Sequence, residues 1–120
     1  MRKPTVLRAE EALVEEFDWG RLTWYASGRL GNAAEMTTGH CEIRPGRENS
    51  RHGHANCEEV LTVVSGTIRH WAEGLGEVEM SAGDTITIPP NVVHNARNVG
   101  AAPAVLAIAF SSADRQTRGE

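Results

Sequence analysis

Short runs in which apolar and polar residues alternate, punctuated by glycine and proline, dominate this chain. At 21–27, RLTWYAS, the residues Leu22, Trp24 and Ala26 alternate with Arg21, Thr23 and Tyr25, the period of a strand with one buried face. SGRLGN at 27–32 supplies a turn. A second strand region over 33–44 ends at Pro45-Gly46, a pair that cannot continue a central strand and so marks a corner. Residues 60–64 are largely β-branched and apolar, and Ser65-Gly66 followed by TIRHW predicts a hairpin. Residues 73–77, with Gly74 and Gly76, form the next turn; Val78 and Met80 begin a strand that stops at Gly83-Asp84, and 85–88 runs into Pro89-Pro90. After a loop centred on Gly100, PAVLAIAF at 103–110 reads as a final buried strand.

The two ends read differently. PTVLR at 4–8 suggests a short edge strand, and AEEALVEEF at 9–17 has the composition of one or two helical turns, acidic on one side with Leu13, Val14 and Phe17 on the other. SSADRQTRGE at 111–120 is polar and predicts a frayed tail. Many short strands at nearly even spacing predict an all-β sandwich or closed barrel.

A length of 120 residues gives one domain with a single core. The net charge of -4 leaves no basic field for nucleic acid or an anionic membrane surface, so neither is expected as a partner. MRKPTVLRAEE lacks an apolar segment behind its basic residues, and no stretch of eighteen apolar residues occurs, so the expected location is cytoplasmic. Cys41 and Cys57 show no CxxC spacing, and a reducing compartment makes them free thiols.

Candidate chemistry concentrates in GRENSRHGHANCEEVLTVVSG at 46–66. His52 and His54 are two apart, so on an extended strand both imidazoles leave one face and can meet one ion. Glu58 and Glu59 follow closely, and His94 comes just after a Pro-Pro-Asn turn. Three imidazoles and a carboxylate suit a divalent first-row metal.

Gly46, His52, His54, Glu59 and Gly66 match the first motif of the cupins, and Gly83, Pro89, His94 and Asn98 match the second, so the chain resembles that family over roughly a third of its length. Asn91 stands where the family usually has glycine, and asparagine tolerates the positive φ that such a turn needs. The resemblance implies a single-domain jelly-roll β-barrel over 29–111, with 1–28 as a strand and short-helix extension packed on it and 112–120 as a polar tail. It implies His52, His54, Glu59 and His94 as metal ligands.

Both Glu58 and Glu59 fit the family's spacing from His54, but counting back from the turn at Gly66 puts Glu59 on the face of Leu61 and Val63, which favours Glu59. His40, Arg44, His70 and Asn98 are candidates for supporting the ligands or touching substrate, although Asn98 reads better as a residue that secures backbone. Arg51 points away from the ion on a regular strand, and Cys57 occupies no ligand position. Trp19, Trp24 and Trp71 read as core or interface residues.

Iron, manganese, nickel, cobalt, copper and zinc can all use this donor set. Three neutral imidazoles and one carboxylate on a divalent ion leave a net charge of about +1 and open coordination positions, which would attract an anionic ligand. The expected function is therefore a metal-dependent oxygenase, isomerase or lyase acting on a small oxygenated substrate of sugar-acid or dicarbonyl type. FSSADR at 110–115 resembles the FSP-x-R ending of small cupins that act on unsaturated uronates, which adds weight to sugar-acid chemistry. The alternative is a non-catalytic module that binds a small ligand. A storage-type structural role fits poorly with so short a chain. Small cupins commonly pair, so a homodimer is expected, with the N-terminal strand and the Trp19 and Trp24 region as its apolar face.

Overall fold

Residues 3–119 are described by the computed structural model; Met1, Arg2 and Glu120, the outermost positions of the extension and the tail, lie outside the described residues. Strands β1 (Leu13–Phe17), β2 (Gly20–Ala26), β3 (Thr37–Ile43), β4 (His52–Gly53), β5 (Glu59–Ser65) and β6 (Thr67–Ala72) are followed by β7 (Gly76–Ser81), β8 (Thr85–Ile88), β9 (His94–Asn98), β10 (Ala104–Phe110) and β11 (Arg118–Gly119). All pairings are antiparallel, in a six-stranded sheet of order β1-β2-β3-β10-β5-β8 and a five-stranded sheet of order β11-β4-β9-β6-β7. The fold is an all-β jelly roll.

Alternation decides what each sheet buries. In β10 and β3 every second residue is buried, so Leu106, Ile108 and Phe110 share the inner face with Cys41 and Ile43. Ile68, Met80 and Ala96 meet them from the five-stranded sheet. Each large apolar side chain buried this way stabilises the fold by about 1.5–3 kcal/mol. Gly39 makes room for the largest of them: a Cβ there would stand 2.4 Å from the Thr23 carbonyl oxygen and 2.7 Å from the Trp24 ring.

Five expectations are corrected. Residues 4–8 form no strand, and of 9–17 only Ala9–Glu11 is helical, a single 3-10 turn. Leu13–Phe17 is instead an edge strand, with Leu13 opposite Trp24 and Phe17 opposite Gly20. A period of two, with Leu13 and Glu15 turned toward the interior, overrides the helical preference of the glutamates.

The predicted hairpin across Ser65-Gly66 is a crossing between sheets, since β5 pairs with β10 and β8 whereas β6 pairs with β7 and β9. Gly66 makes the crossing with φ 92°, and a Cβ there would meet the Ala104 Cα at 2.9 Å, so no other residue fits without displacement.

The C-terminal segment is ordered rather than frayed. Asn56 clamps it by donating to the Asp114 carbonyl (2.9 Å) and accepting from the Gln116 N–H (2.8 Å), and β11 pairs with β4. Trp24, offered above as part of a dimer face, is only 4% exposed and belongs to the core; Val14 and Phe17 on β1 remain exposed. Among the described residues no helix is long and apolar enough to cross a membrane.

Candidate metal centre

Strand pairing assembles the site from both sheets. His52 on β4 lies opposite His94 on β9, with ring centroids 4.4 Å apart, and His54 follows directly after β4. Glu59 opens β5 in the other sheet, where the burial sequence places Glu59, Leu61 and Val63 inward and leaves Glu58 exposed. The Pro-Pro-Asn turn aligns the two histidine segments, for Asn91 adopts φ 66° and its N–H donates to the His54 carbonyl at 2.8 Å. One ligand atom from each of His52, His54, Glu59 and His94 lies within 4.8 Å of the other three.

The imidazoles are oriented from behind. The Nδ1 atoms of His52, His54 and His94 lie 2.7, 3.0 and 3.1 Å from the carbonyls of Ser50, Gln116 and Val92. A carbonyl only accepts, so each Nδ1 carries a proton and each Nε2 is turned inward. His54 Nε2 is buried without a hydrogen-bond partner, 3.3 Å from Glu59 Oε1 in poor hydrogen-bond alignment, while His94 Nε2 reaches the same oxygen at 3.0 Å. Convergent Nε2 atoms with hydrogen-bonded Nδ1–H groups, facing a buried carboxylate, are the arrangement a divalent metal takes from histidine and glutamate. The set fits such an ion.

Electrostatics within the cluster is mutual. Burial pushes the Glu59 carboxyl up, but the neighbouring His54 and His94 imidazoles outweigh it and hold the group at about 2. Burial pushes His94 down, and Glu59 more than reverses this. His52 is pushed down to about 4, first by burial and then by the charge of His94.

These residues lie at one side of a cavity of about 360 Å³ between the sheets, lined elsewhere by apolar side chains such as Leu22, Leu61, Leu106 and Ile108. That volume is in the range of pockets for small molecules. Of the other candidates, only His70 lines it. His70 is 1% exposed, stacked on His94 with centroids 5.5 Å apart and planes 13° apart. Burial first, then the charge of His94, pushes it down to about 4.

His40 is on the outer side of β3, edge-on to Tyr25. Arg44 is exposed at a strand end, reaching the Asp18 carbonyl at 3.4 Å. Asn98 is buried and holds backbone, donating to the Ile43 and Ala102 carbonyls and accepting from the Gly100 N–H. Arg51 turns outward onto Trp71, and Cys41 lines the cavity as a thiol pushed up to about 12 by burial.

The sequence reading passed over Arg115 and Glu15. The Arg115 guanidinium lies 4.3 Å from the Trp24 ring and 5.1 Å from Phe110, and donates to Thr117 Oγ1. No carboxylate among the described residues lies within ion-pair distance of it. Burial pushes its pKa down, and Glu59 and Glu15 pull it back. Glu15 accepts from Trp24 Nε1 at 2.7 Å, which fixes the indole under the guanidinium. Arg115 ends the FSSADR segment, the one sequence signal that pointed to it.

Comparison with known proteins agrees with this fold. A family model described as "Cupin domain" matches residues 39–110. A germin-like protein 3-8 of rice (Oryza sativa subsp. japonica) is 28% identical over 90 residues, 68% of this chain, which spans 38% of the rice protein. The oxalate decarboxylase of Lactobacillus farciminis, solved as a formate complex, superposes with a TM-score of 0.84 at 22% identity over 92% of this chain and 34% of that one. A Bacillus subtilis oxalate decarboxylase, solved in a study of its Mn(II) centres, gives 0.80 at 20% identity over 87% of this chain and 29% of that one. A Klebsiella pneumoniae protein with a double-stranded β-helix domain gives 0.68 at 22% identity, over 73% of this chain and 77% of the other.

Proposed function

The chain belongs to the cupin family, and from that premise we propose that it is a metal-dependent enzyme acting on a small oxygenated carboxylic acid of sugar-acid or dicarbonyl type. In this reading His52, His54, Glu59 and His94 hold a divalent transition metal. When bound, that ion supplies a positive centre that polarises a carbonyl oxygen and stabilises negative charge developing on it. The observation that carries the reading is Arg115, a cation with no carboxylate partner among the described residues, bordering the same apolar cavity as the cluster.

Arg115 anchors the substrate carboxylate through its planar donors, and Trp24 and Phe110 hold the guanidinium in place beneath it. Leu22, Leu61, Leu106 and Ile108 exclude water from the reacting end. Glu59 lowers the charge of the site without neutralising it, so an anion remains favoured. The oxalate decarboxylases that share the fold act, by name, on a small carboxylate, and one was studied for Mn(II) centres; both facts are consistent with this reading.

Elemental analysis of the purified chain, then assays of sugar acids and dicarbonyl compounds with and without dioxygen, tests the proposal. We expect roughly one divalent ion per chain and conversion that chelation abolishes. Acids that bind and leave unchanged would replace the enzyme by a ligand-binding module.

A further inference from the structure

We propose that His70 is a ligand-binding residue of this cavity, whose imidazole hydrogen-bonds an oxygen of the small acid bound beside His94; this rests on the metal-centred reading above. The alternation of β6 turns Ile68, His70 and Ala72 inward, and β6 pairs with β9 so that His70 faces Ala96 and Ala72 faces His94. His70 and His94 are thus diagonal neighbours on one sheet face, and their rings stack.

His70 makes no use of the protein around it. Both Nδ1 and Nε2 are buried without a hydrogen-bond partner. A neutral imidazole presents one donor and one acceptor, and each buried polar atom left unmatched costs as much as a lost hydrogen bond. Among buried side-chain nitrogens and oxygens of the described residues, only His54 Nε2 shares this condition, and it points into the ligand cluster.

His70 has no place in that cluster, since the converging ligand atoms come from His52, His54, Glu59 and His94 alone. It lines the cavity, as they do. Its missing partner therefore belongs to what enters the cavity. An oxygen of a carboxylate or hydroxyl group there accepts from the ring N–H, and a hydroxyl also donates to the other nitrogen. Arg115 takes one end of the acid and His70 an oxygen near the metal, which fixes the orientation of the ligand as well as its charge.

The full-length chain loaded with cobalt(II) tests this, because cobalt accepts the same donors and its visible spectrum reports ligand entry. The probe is oxalate, a small acid that chelates divalent ions. His70→Phe should take up cobalt with the affinity of the wild type and bind oxalate roughly 10- to 100-fold more weakly, the loss expected when a hydrogen bond to a charged group is removed. His70→Gln, which restores a donor and an acceptor at similar size, should recover part of that loss. Metal-free His70→Phe should also melt no lower than the wild type, since two unmatched polar atoms are gone.

Oxalate binding unchanged in both variants would overturn the assignment, and so would loss of cobalt in His70→Phe, which would make His70 a ligand of the ion. A wild-type chain that takes up no cobalt would overturn the metal reading and this assignment with it. Cobalt uptake with unchanged oxalate binding in the variants removes the assignment alone.

Discussion

His54 Nδ1 and the Gln116 carbonyl oxygen lie 3.0 Å apart across 62 residues of chain. The C-terminal segment thereby sets the tautomer of a residue in the ligand cluster. Ending the chain after Arg115 should lower metal affinity roughly 10- to 100-fold, the usual cost of removing a partner behind a metal-bound histidine. Competition with a chromogenic chelator measures it; equal affinity in the truncated and full chains would show that the Gln116 contact does not orient His54.

The two adjacent glutamates should separate cleanly. Glu59 is 4% exposed and its Oε1 lies 3.0 Å from His94 Nε2, whereas Glu58 is exposed. Glu59→Gln should reduce metal affinity by more than the roughly 10–100-fold that an outer partner contributes, and Glu58→Ala should leave it unchanged. If Glu58→Ala lost the ion, the ligand set itself would be wrong.

Arg115→Met keeps a long stem over Trp24 and removes the guanidinium. We expect metal content to hold and affinity for small carboxylates to fall roughly 10- to 100-fold, with Arg115→Lys intermediate because it keeps the charge without the planar fork. Calorimetric titration of oxalate into metal-loaded variants decides between this and a purely structural Arg115, for which carboxylate affinity would not move.

How much of this could be read from residues alone depended on whether the deciding interaction was local. The inward phase of Glu59 followed from counting along one uninterrupted strand, and the positive φ of Asn91 from one tight turn. The edge strand at Leu13–Phe17 was hidden because Glu-rich composition favours helix while the choice was made by pairing with β2. Whether Gly66 turns a hairpin or changes sheets is decided by the pairing of β5 with β10 and β8, far along the chain, and the order of the tail depends on Asn56 and His54. Polar composition cannot display partners so remote, and Arg115 went unassigned for the same reason.

Acid should destabilise the metal-free chain well above the carboxylate range. His52 and His70 are both depressed from 6.5 to about 4, chiefly by burial, so stability is at its full value above 6.5 and is lost as pH falls toward 4, where the unfolded chain binds protons that the native rings refuse. Glu59, depressed from 4.5 to about 2, adds stability that is lost only as pH falls through that lower window. His94 is raised, so its contribution is present below 6.5 and is lost as pH rises; one such group opposes two. Melting temperature should therefore fall as pH drops from 6.5 to 4, and a flat profile there would show that the two rings are not buried neutral.

The crossing at Gly66 also sets the order of events in time. Because β5 leaves its sequence neighbour for the other sheet, Glu59 reaches its place only through pairing with Ile88 on β8 and Phe110 on β10, after most of the chain has emerged and found partners. Closing such distant pairs is the slow part of forming a β-rich fold. The four donors thus come together late, when the two sheets have already joined, and an ion would arrive at a finished cage instead of guiding its construction. Refolding followed by tryptophan fluorescence should then proceed at a rate indifferent to added metal, with capture as a separate step whose rate grows with metal concentration.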